Sequence, residues 1–584
     1  MLPQVPFGVR AEFDVPATMR DGVVLRANVF RPDDGGSGTY PVLLTRLPYG
    51  KDYPLGSSLI NPAQVARLGY IVVVQDVRGT FTSGGDFYPM VNEGQDGADA
   101  VAWAARLPGS DGRVGMYGGS YMGFTQWAAA RERPAALRAI APLITWDDPN
   151  WGVSTRNGVL ELGTQASWLM QRGLDVLSRR YRGDPQALGR ALYGLAHEYD
   201  ALPVSGYAEL PLTRFGPLAR LGLAEPMSDN AERHGDREFT APARVAGAYE
   251  SIDIPALQVA GWYDVFLDGT IRNFNGMRAA GRAGQYLWIG PWVHGVFNSV
   301  VGDVDFGFAA GSLLMDLQID LVSLHLRFFD HYLKGIANGF EQMPTLKYFV
   351  MGANVWKSSQ TWPPSGAADQ RWYLHSGGSA NTSGGDGFLS TESPATEPAD
   401  GYVYDPGDPA PTVGGATLMH SIYRAGPIDQ RAVEARRDVL VYTSAPLERA
   451  VEVAGPVQVR LNVATDAPDT DFVARLIDVY PDGRAIPLTD GITRMRYRNG
   501  IEERASSLVS GQVYAIDVDL WQTGNVFLPG HRIRVDVTSS NFPRWERNLN
   551  TGEGADATEM RPARQAILHD TEHPSYLELT IAPQ

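Results

Sequence analysis

Residues 114–123, Val-Gly-Met-Tyr-Gly-Gly-Ser-Tyr-Met-Gly, lead a short apolar strand into a glycine turn that offers one serine, Ser120. A helix-forming run, Phe124 to Arg131, follows. This is the layout of a nucleophile elbow, in which a tight strand-to-helix turn lifts a hydroxyl out at the top of a parallel sheet. Glycines beside the serine leave room for neighbouring backbone and permit a positive φ. The helix turns its N-terminal amides and the positive end of its dipole toward an anion formed at the serine. The general pattern wants a glycine two residues after the serine, where this chain has Met122, with Gly123 one step later. Taken alone, such a turn is equally an ordinary strand-to-helix connection.

A serine hydroxyl at neutral pH needs a base to take its proton, and the base needs a carboxylate to orient it. On such a sheet the acid and then the histidine follow the serine in chain order, each at a strand end. Ile254 to Ala260 reads as a strand that runs through Gly261, Trp262 and Tyr263 into Asp264. Tyr286 to Ile289 reads as the next, and Gly290-Pro291-Trp292-Val293 leads from it to His294. An isolated aspartate after a strand is a turn or capping residue, and a lone histidine is a surface or core residue. Only His294 combines strand-end placement with a preceding strand-end aspartate. His325 and His331 lie in an amphipathic helical run and read as structural. His197, His234, His375, His420, His531, His569 and His573 have no strand-end setting.

The elements that would hold these residues are legible as well. Val23–Phe30, Tyr40–Leu47, Tyr70–Asp76 and Arg113–Tyr117 are strand-like. Asn61–Leu68, Glu93–Leu107 and Tyr121–Arg133 are helical, an alternation that predicts a parallel α/β sheet. From about Pro149 to Gly247 longer helical stretches take over, among them Gln165–Tyr181 and Pro185–His197, and these read as an insertion. Strand signals return at Ala256 and Tyr286, before a helix over Leu313–Leu333. The run Ser376 to Gly415, rich in Gly, Ser, Pro and Thr, reads as a linker. Beyond it the strands Asp438–Thr443, Val457–Val463, Asp471–Tyr480, Gln512–Leu520 and His531–Thr538 predict a β sandwich or jelly roll.

Composition bounds the remaining choices. A chain of 584 residues is too long for one core. A formal charge of -16 argues against nucleic acid as a partner, because phosphate binding needs a basic surface. With no cysteine, disulfides, thiolate nucleophiles and Cys-based zinc sites are excluded. The N-terminus has no basic and apolar leader, and no stretch approaches the roughly 20 apolar residues of a membrane span. A cytoplasmic protein with no membrane partner is expected.

Together, Gly-Gly-Ser-Tyr-Met-Gly, Gly-Trp-Tyr-Asp and Gly-Pro-Trp-Val-His resemble the cocaine esterase group, the CocE/NonD hydrolases. This group is related to the X-prolyl dipeptidyl-peptidases and the α-amino acid ester hydrolases. Gln75-Asp-Val-Arg-Gly79, Pro529-Gly-His-Arg-Ile-Arg-Val535 and the segment Ser540 to Gly552 extend the resemblance over nearly the whole chain. The group itself uses Ser-Tyr-x-Gly, which accounts for Met122. The resemblance implies an α/β-hydrolase fold in two parts, 1–148 and 248–358, a helical cap inserted at 149–247, and a C-terminal jelly-roll domain over 359–584. It implies Ser120 as nucleophile, Asp264 as orienting acid and His294 as base. It also implies an oxyanion hole made by the Tyr49 phenol and the Tyr121 backbone N–H, with no metal or organic cofactor. Members occur as monomers and as oligomers, which leaves a homo-oligomer open.

Members that act on α-amino acyl groups carry carboxylates for the substrate ammonium, shortly after the catalytic aspartate and just before a tryptophan beyond the nucleophile helix. The matching positions here are the apolar Val265-Phe266-Leu267 and Asn150. A buried ammonium with no opposite charge is penalised, so a small ester with a neutral, apolar or aromatic acyl group is the expected substrate. Trp146, Trp151 and Phe266 are candidates to line its site. Asp147 and Asp148 read as a solvated loop pair. Two alternatives remain: an amide-cleaving acylase or X-prolyl hydrolase of the same superfamily, and a non-catalytic carbohydrate-binding protein.

Overall fold

The computed structural model describes residues 7–36, 38–57 and 59–583. Residues 1–6, on which part of the expectation of no leader rests, lie outside the described residues.

Ten strands make the main sheet: β1 (Gly8–Thr18), β2 (Val24–Asp33), β3 (Tyr40–Leu47), β4 (Ile71–Asp76), β5 (Ser110–Gly119), β6 (Leu137–Leu143), β7 (Ala256–Tyr263), β8 (Gln285–Val293), β9 (Leu346–Val350) and β10 (Val355–Ser359). Their order is β1-β2-β4-β3-β5-β6-β7-β8-β9-β10. From β4 to β9 every pairing is parallel, and the strands at both ends join antiparallel. The central strands are buried on both faces and so read as continuous apolar runs, Ile71 to Val74 being the plainest. Strand alternation sends Leu44, Val73 and Met116 into one core with Phe124 and Trp127. Leu43, Val72 and Tyr117 enter the opposite core with Phe328 and Phe329.

β6 was not expected as a strand, because its sequence, Leu-Arg-Ala-Ile-Ala-Pro-Leu, has little β-branched character. Burial between β5 and β7 decides its state instead. The helix expected over Leu313–Leu333 is shorter. It spans Leu321–Lys334, because the Asp320 side chain caps it by accepting from the Ser323 amide at 2.8 Å.

The insertion expected after Pro149 carries the helices Leu162–Arg180 and Pro185–Ala201, which pack on each other around Leu169, Met170, Leu195 and Leu223. After the main sheet comes a second sheet of mostly antiparallel strands, beginning at Ala368–His375, which forms the C-terminal jelly roll. The supposed linker belongs to it. Phe388–Ser390 and Asp400–Tyr404 are strands of that sheet, and the Asp400 carboxylate is buried under hydrogen bonds from Ser376 and Tyr442. Most of its polar residues remain at the surface, while a few, Ser376 and Asp400 among them, are buried and hydrogen-bonded.

The jelly roll packs against the hydrolase sheet and the insertion. Tyr263 at the end of β7 donates to the Pro487 carbonyl. The Arg156 guanidinium lies 3.7 Å from the centre of the Trp521 ring, and its Nη2 donates to the Asp519 carbonyl at 2.9 Å. Among the described residues no helix is long and apolar enough to cross a membrane.

Candidate active site

Ser120, Asp264, His294 and Tyr49 all stand at the C-terminal edge of the parallel sheet, where strand ends converge and loops are free to vary. β5 ends at Gly119, and Ser120 adopts φ 60° and ψ -125° before the helix Tyr121–Arg131 begins. Such a backbone costs a non-glycine residue on the order of 1–3 kcal/mol. The turn is held by the Ser120 amide donating to Leu143, and by the Thr145 hydroxyl donating to the Ser120 carbonyl at 2.9 Å. Gly123 is needed because a Cβ there would sit 2.8 Å from the Thr145 Cβ and 2.9 Å from the Leu143 carbonyl. The helix thus crosses the end of β6 one residue later than the general pattern implies. Met122 is free to pack on Leu47 and Val74.

Asp264 and His294 are each the first residue after their strand. The aspartate is buried, and its Oδ1 accepts from the Phe266 amide at 2.7 Å. Its Oδ2 lies 2.8 Å from His294 Nδ1, and His294 Nε2 lies 3.0 Å from the Ser120 hydroxyl. A carboxylate only accepts, so Nδ1 carries the proton and Nε2 is left to receive one from the serine. The Phe266 ring stands edge-on to the imidazole at 5.2 Å and limits its rotation.

Tyr49 follows β3 and Pro48 and lines the same cavity as Ser120. It accepts from Trp168 Nε1 at 3.2 Å. The Arg172 guanidinium lies 4.4 Å from the centre of its ring and donates to the Pro48 carbonyl. Burial raises the phenol's pKa and the guanidinium opposes that, so the group stays a neutral donor. The Tyr121 amide, first in its helix, makes no backbone hydrogen bond among the described residues. Its phenol is anchored beneath, donating to Glu93 at 2.8 Å and accepting from the Met90 amide at 2.9 Å. Glu93 in turn pairs with Arg46, a guanidinium 0% exposed in β3, at 2.9 Å.

Trp168, Arg172, Glu93 and Arg46 escaped the sequence reading. Arg46 carried a signal, since a charge inside the apolar run Leu43–Leu47 demands a buried partner. Trp168 and Arg172 carried none, because helical spacing does not reveal what a helix faces.

A cavity with about 490 Å³ of open space, mouth included, begins at Ser120 and Tyr49 and runs under the insertion. Trp146, Phe266, Trp168 and Leu418 line it, with no charged side chain. Trp151 lies elsewhere, with its ring 4.8 Å from the Arg272 guanidinium. A cation face there is a better partner than the cavity wall. Asn150 is buried too, donating to the His234 carbonyl and accepting from Thr155. Asp147 and Asp148 are not solvated. They are buried against Arg272 and Arg244 at 3.0 Å each, and burial pushes the Asp147 carboxyl up to about 7.

Such a sheet, elbow and hydrogen-bonded side-chain chain define a serine hydrolase, and likeness to known proteins narrows the class. Residues 21–296 match the X-Pro dipeptidyl-peptidase (S15) family, and residues 338–578 match the X-Pro dipeptidyl-peptidase C-terminal non-catalytic domain. Cocaine esterase of Rhodococcus sp. (strain MB1 Bresler) is 38% identical, over 97% of this chain and 98% of its own length. An aminopeptidase from the marine sediment archaeon Thaumarchaeota archaeon has a similar structure, with a TM-score of 0.81 at 25% identity over 100% of this chain and 98% of that one. An α-amino acid ester hydrolase shares the fold, with a TM-score of 0.78 at 24% identity over 99% and 97% of the two chains. The chain belongs to the CocE/NonD family of serine hydrolases.

Proposed function

We propose that the protein is a carboxylic ester hydrolase acting on neutral, apolar or aromatic acyl groups through an acyl-enzyme. Ser120 Oγ attacks the ester carbonyl as its proton passes to His294 Nε2. The imidazolium then returns that proton to the departing alcohol. Asp264 fixes the tautomer and stabilises the transient cation. Water repeats the sequence and releases the acid. The carbonyl oxygen, negative in each tetrahedral intermediate, is met by the Tyr49 hydroxyl and the Tyr121 amide at the positive end of a helix dipole.

The observation that carries the substrate reading is the uncharged cavity beside Ser120. The nearby carboxylates Asp147 and Asp148 are already neutralised by arginines, so an incoming ammonium would lose its water without gaining a counter-charge. The p-nitrophenyl esters of 3-phenylpropanoate and of phenylalanine differ only in that ammonium. After correction for intrinsic reactivity, kcat/KM is expected to favour the neutral ester by about a hundredfold. A preference for the phenylalanine ester would transfer the protein to the amino-acyl hydrolases.

Tyr49→Phe isolates the oxyanion contribution. Loss of one such donor typically lowers kcat by about 10²–10³, and KM should scarcely change because the bond strengthens only as charge develops. A fall of less than tenfold would remove Tyr49 from the reaction.

A further inference from the structure

The cavity wall is mostly apolar but includes the uncharged polar side chains of Thr164, Gln165 and Asn230. Trp168, whose indole touches Tyr49, lies on the helix Leu162–Arg180. Thr164 and Gln165 precede it by about one turn, roughly 5 Å along the axis, and line the same cavity. Gln165 is fixed because its amide donates to the Val153 carbonyl at 2.6 Å, which turns its Oε1 toward Asn230. Asn230 must then donate to that oxygen, which it does at 3.0 Å, leaving Asn230 Oδ1 without a partner among the described residues. The Thr164 hydroxyl also lines the cavity, and no described residue bonds to it. A second pocket adjoins this one and shares Pro89, Met90, Pro226 and Asn230 with it. There the Ser154 hydroxyl is buried and equally unpartnered.

Asn230 and the Thr164 hydroxyl line the cavity with hydrogen-bonding capacity unused within the protein, which whatever fills the cavity can take up. We propose that Asn230 selects acyl chains ending in a neutral hydroxyl, which donates to Asn230 Oδ1 and accepts from Thr164. This rests on the cavity being the acyl site. A carboxylate or ammonium end is disfavoured because the tunnel offers no opposite charge. A bare phenyl end leaves the amide oxygen unsatisfied. A phenol attached three bonds beyond the carbonyl carbon meets both requirements, since its hydroxyl can donate to Asn230 Oδ1 and accept from Thr164.

The test compares kcat/KM for methyl 3-(4-hydroxyphenyl)propanoate, its 4-methoxy ether and methyl 3-phenylpropanoate, whose ester carbons are electronically alike. A neutral hydrogen bond of ordinary net strength predicts that the phenol leads the phenyl ester by roughly fivefold to tenfold, with the ether no better than phenyl. Asn230→Leu should bring the phenol-to-phenyl ratio to one by lowering kcat/KM for the phenol more than for the phenyl ester. Thr164→Val should reduce the ratio in part. A wild-type ratio of one or less overturns the proposal without any variant. An equal loss on both substrates in Asn230→Leu also overturns it, as the mark of a packing role. If all three neutral esters are poor against the phenylalanine ester, the acyl-site reading falls as well. Equal and good turnover of all three removes the Asn230 proposal alone.

Discussion

Ser120→Ala is expected to lower kcat by about 10⁶, since a nucleophile and its base act as one unit and losing either costs nearly the whole of what they do together. KM should stay near the wild-type value, because the cavity walls at Trp146, Trp168 and Phe266 are untouched. The fold should persist. The positive φ at 120 is held by backbone and Thr145 contacts that alanine keeps, so the variant remains a test of chemistry rather than of folding. A small residual rate above that of water is still expected from the Tyr49 and Tyr121 donors. Stopped-flow and steady-state assays on a p-nitrophenyl ester read both quantities. Activity within tenfold of wild type would be incompatible with an acyl-Ser120 intermediate.

The second large effect is at Asp264→Asn, where the geometry forces one outcome. Asp264 Oδ1 is committed to the Phe266 amide, so an asparagine keeps its oxygen there and turns its NH₂ toward His294 Nδ1. The imidazole must then accept at Nδ1 and carry its proton on Nε2, the nitrogen that faces the serine. A base protonated on the wrong nitrogen cannot take the hydroxyl proton, and a loss of about 10⁴ in kcat follows, with thermal stability nearly preserved. Retention of more than a tenth of the activity would mean that the amide turns over at no cost, or that Asp264 has no part in orienting the base.

Much of the site can be read in the chain because its chemistry is tied to strand ends. Ser120, Asp264 and His294 follow the apolar runs ending at Tyr117, Ala260 and Ile289 within a few residues, and the structure extends each strand to the residue just before them, so sequence order nearly fixes their position in space. What cannot be read is which way a side chain leans once several elements meet. Trp151 and Trp146 are equally aromatic and stand five residues apart, yet only Trp146 reaches the cavity, because Arg272 captures the other. Asp147 and Asp148 resemble a solvated loop pair in sequence, and their burial depends on arginines about a hundred or more residues away. The stretch 376–415 misleads for the opposite reason. Small polar residues suit an exposed tether, and most here are exposed, but two short strands tie the stretch to the sheet and Ser376, Asp400 and Tyr442 close a buried network that composition does not reveal.

The helix Leu162–Arg180 covers the cavity and also supplies the indole and guanidinium that set the Tyr49 phenol. With Tyr49 in the role proposed above, selection acting on this helix to admit a new substrate alters the reaction's electrostatics at the same time. Lineages of this architecture should exchange their covers as whole, co-adapted pieces together with the loop around Pro48 and Tyr49, and a graft of the cover alone should inherit an untuned phenol.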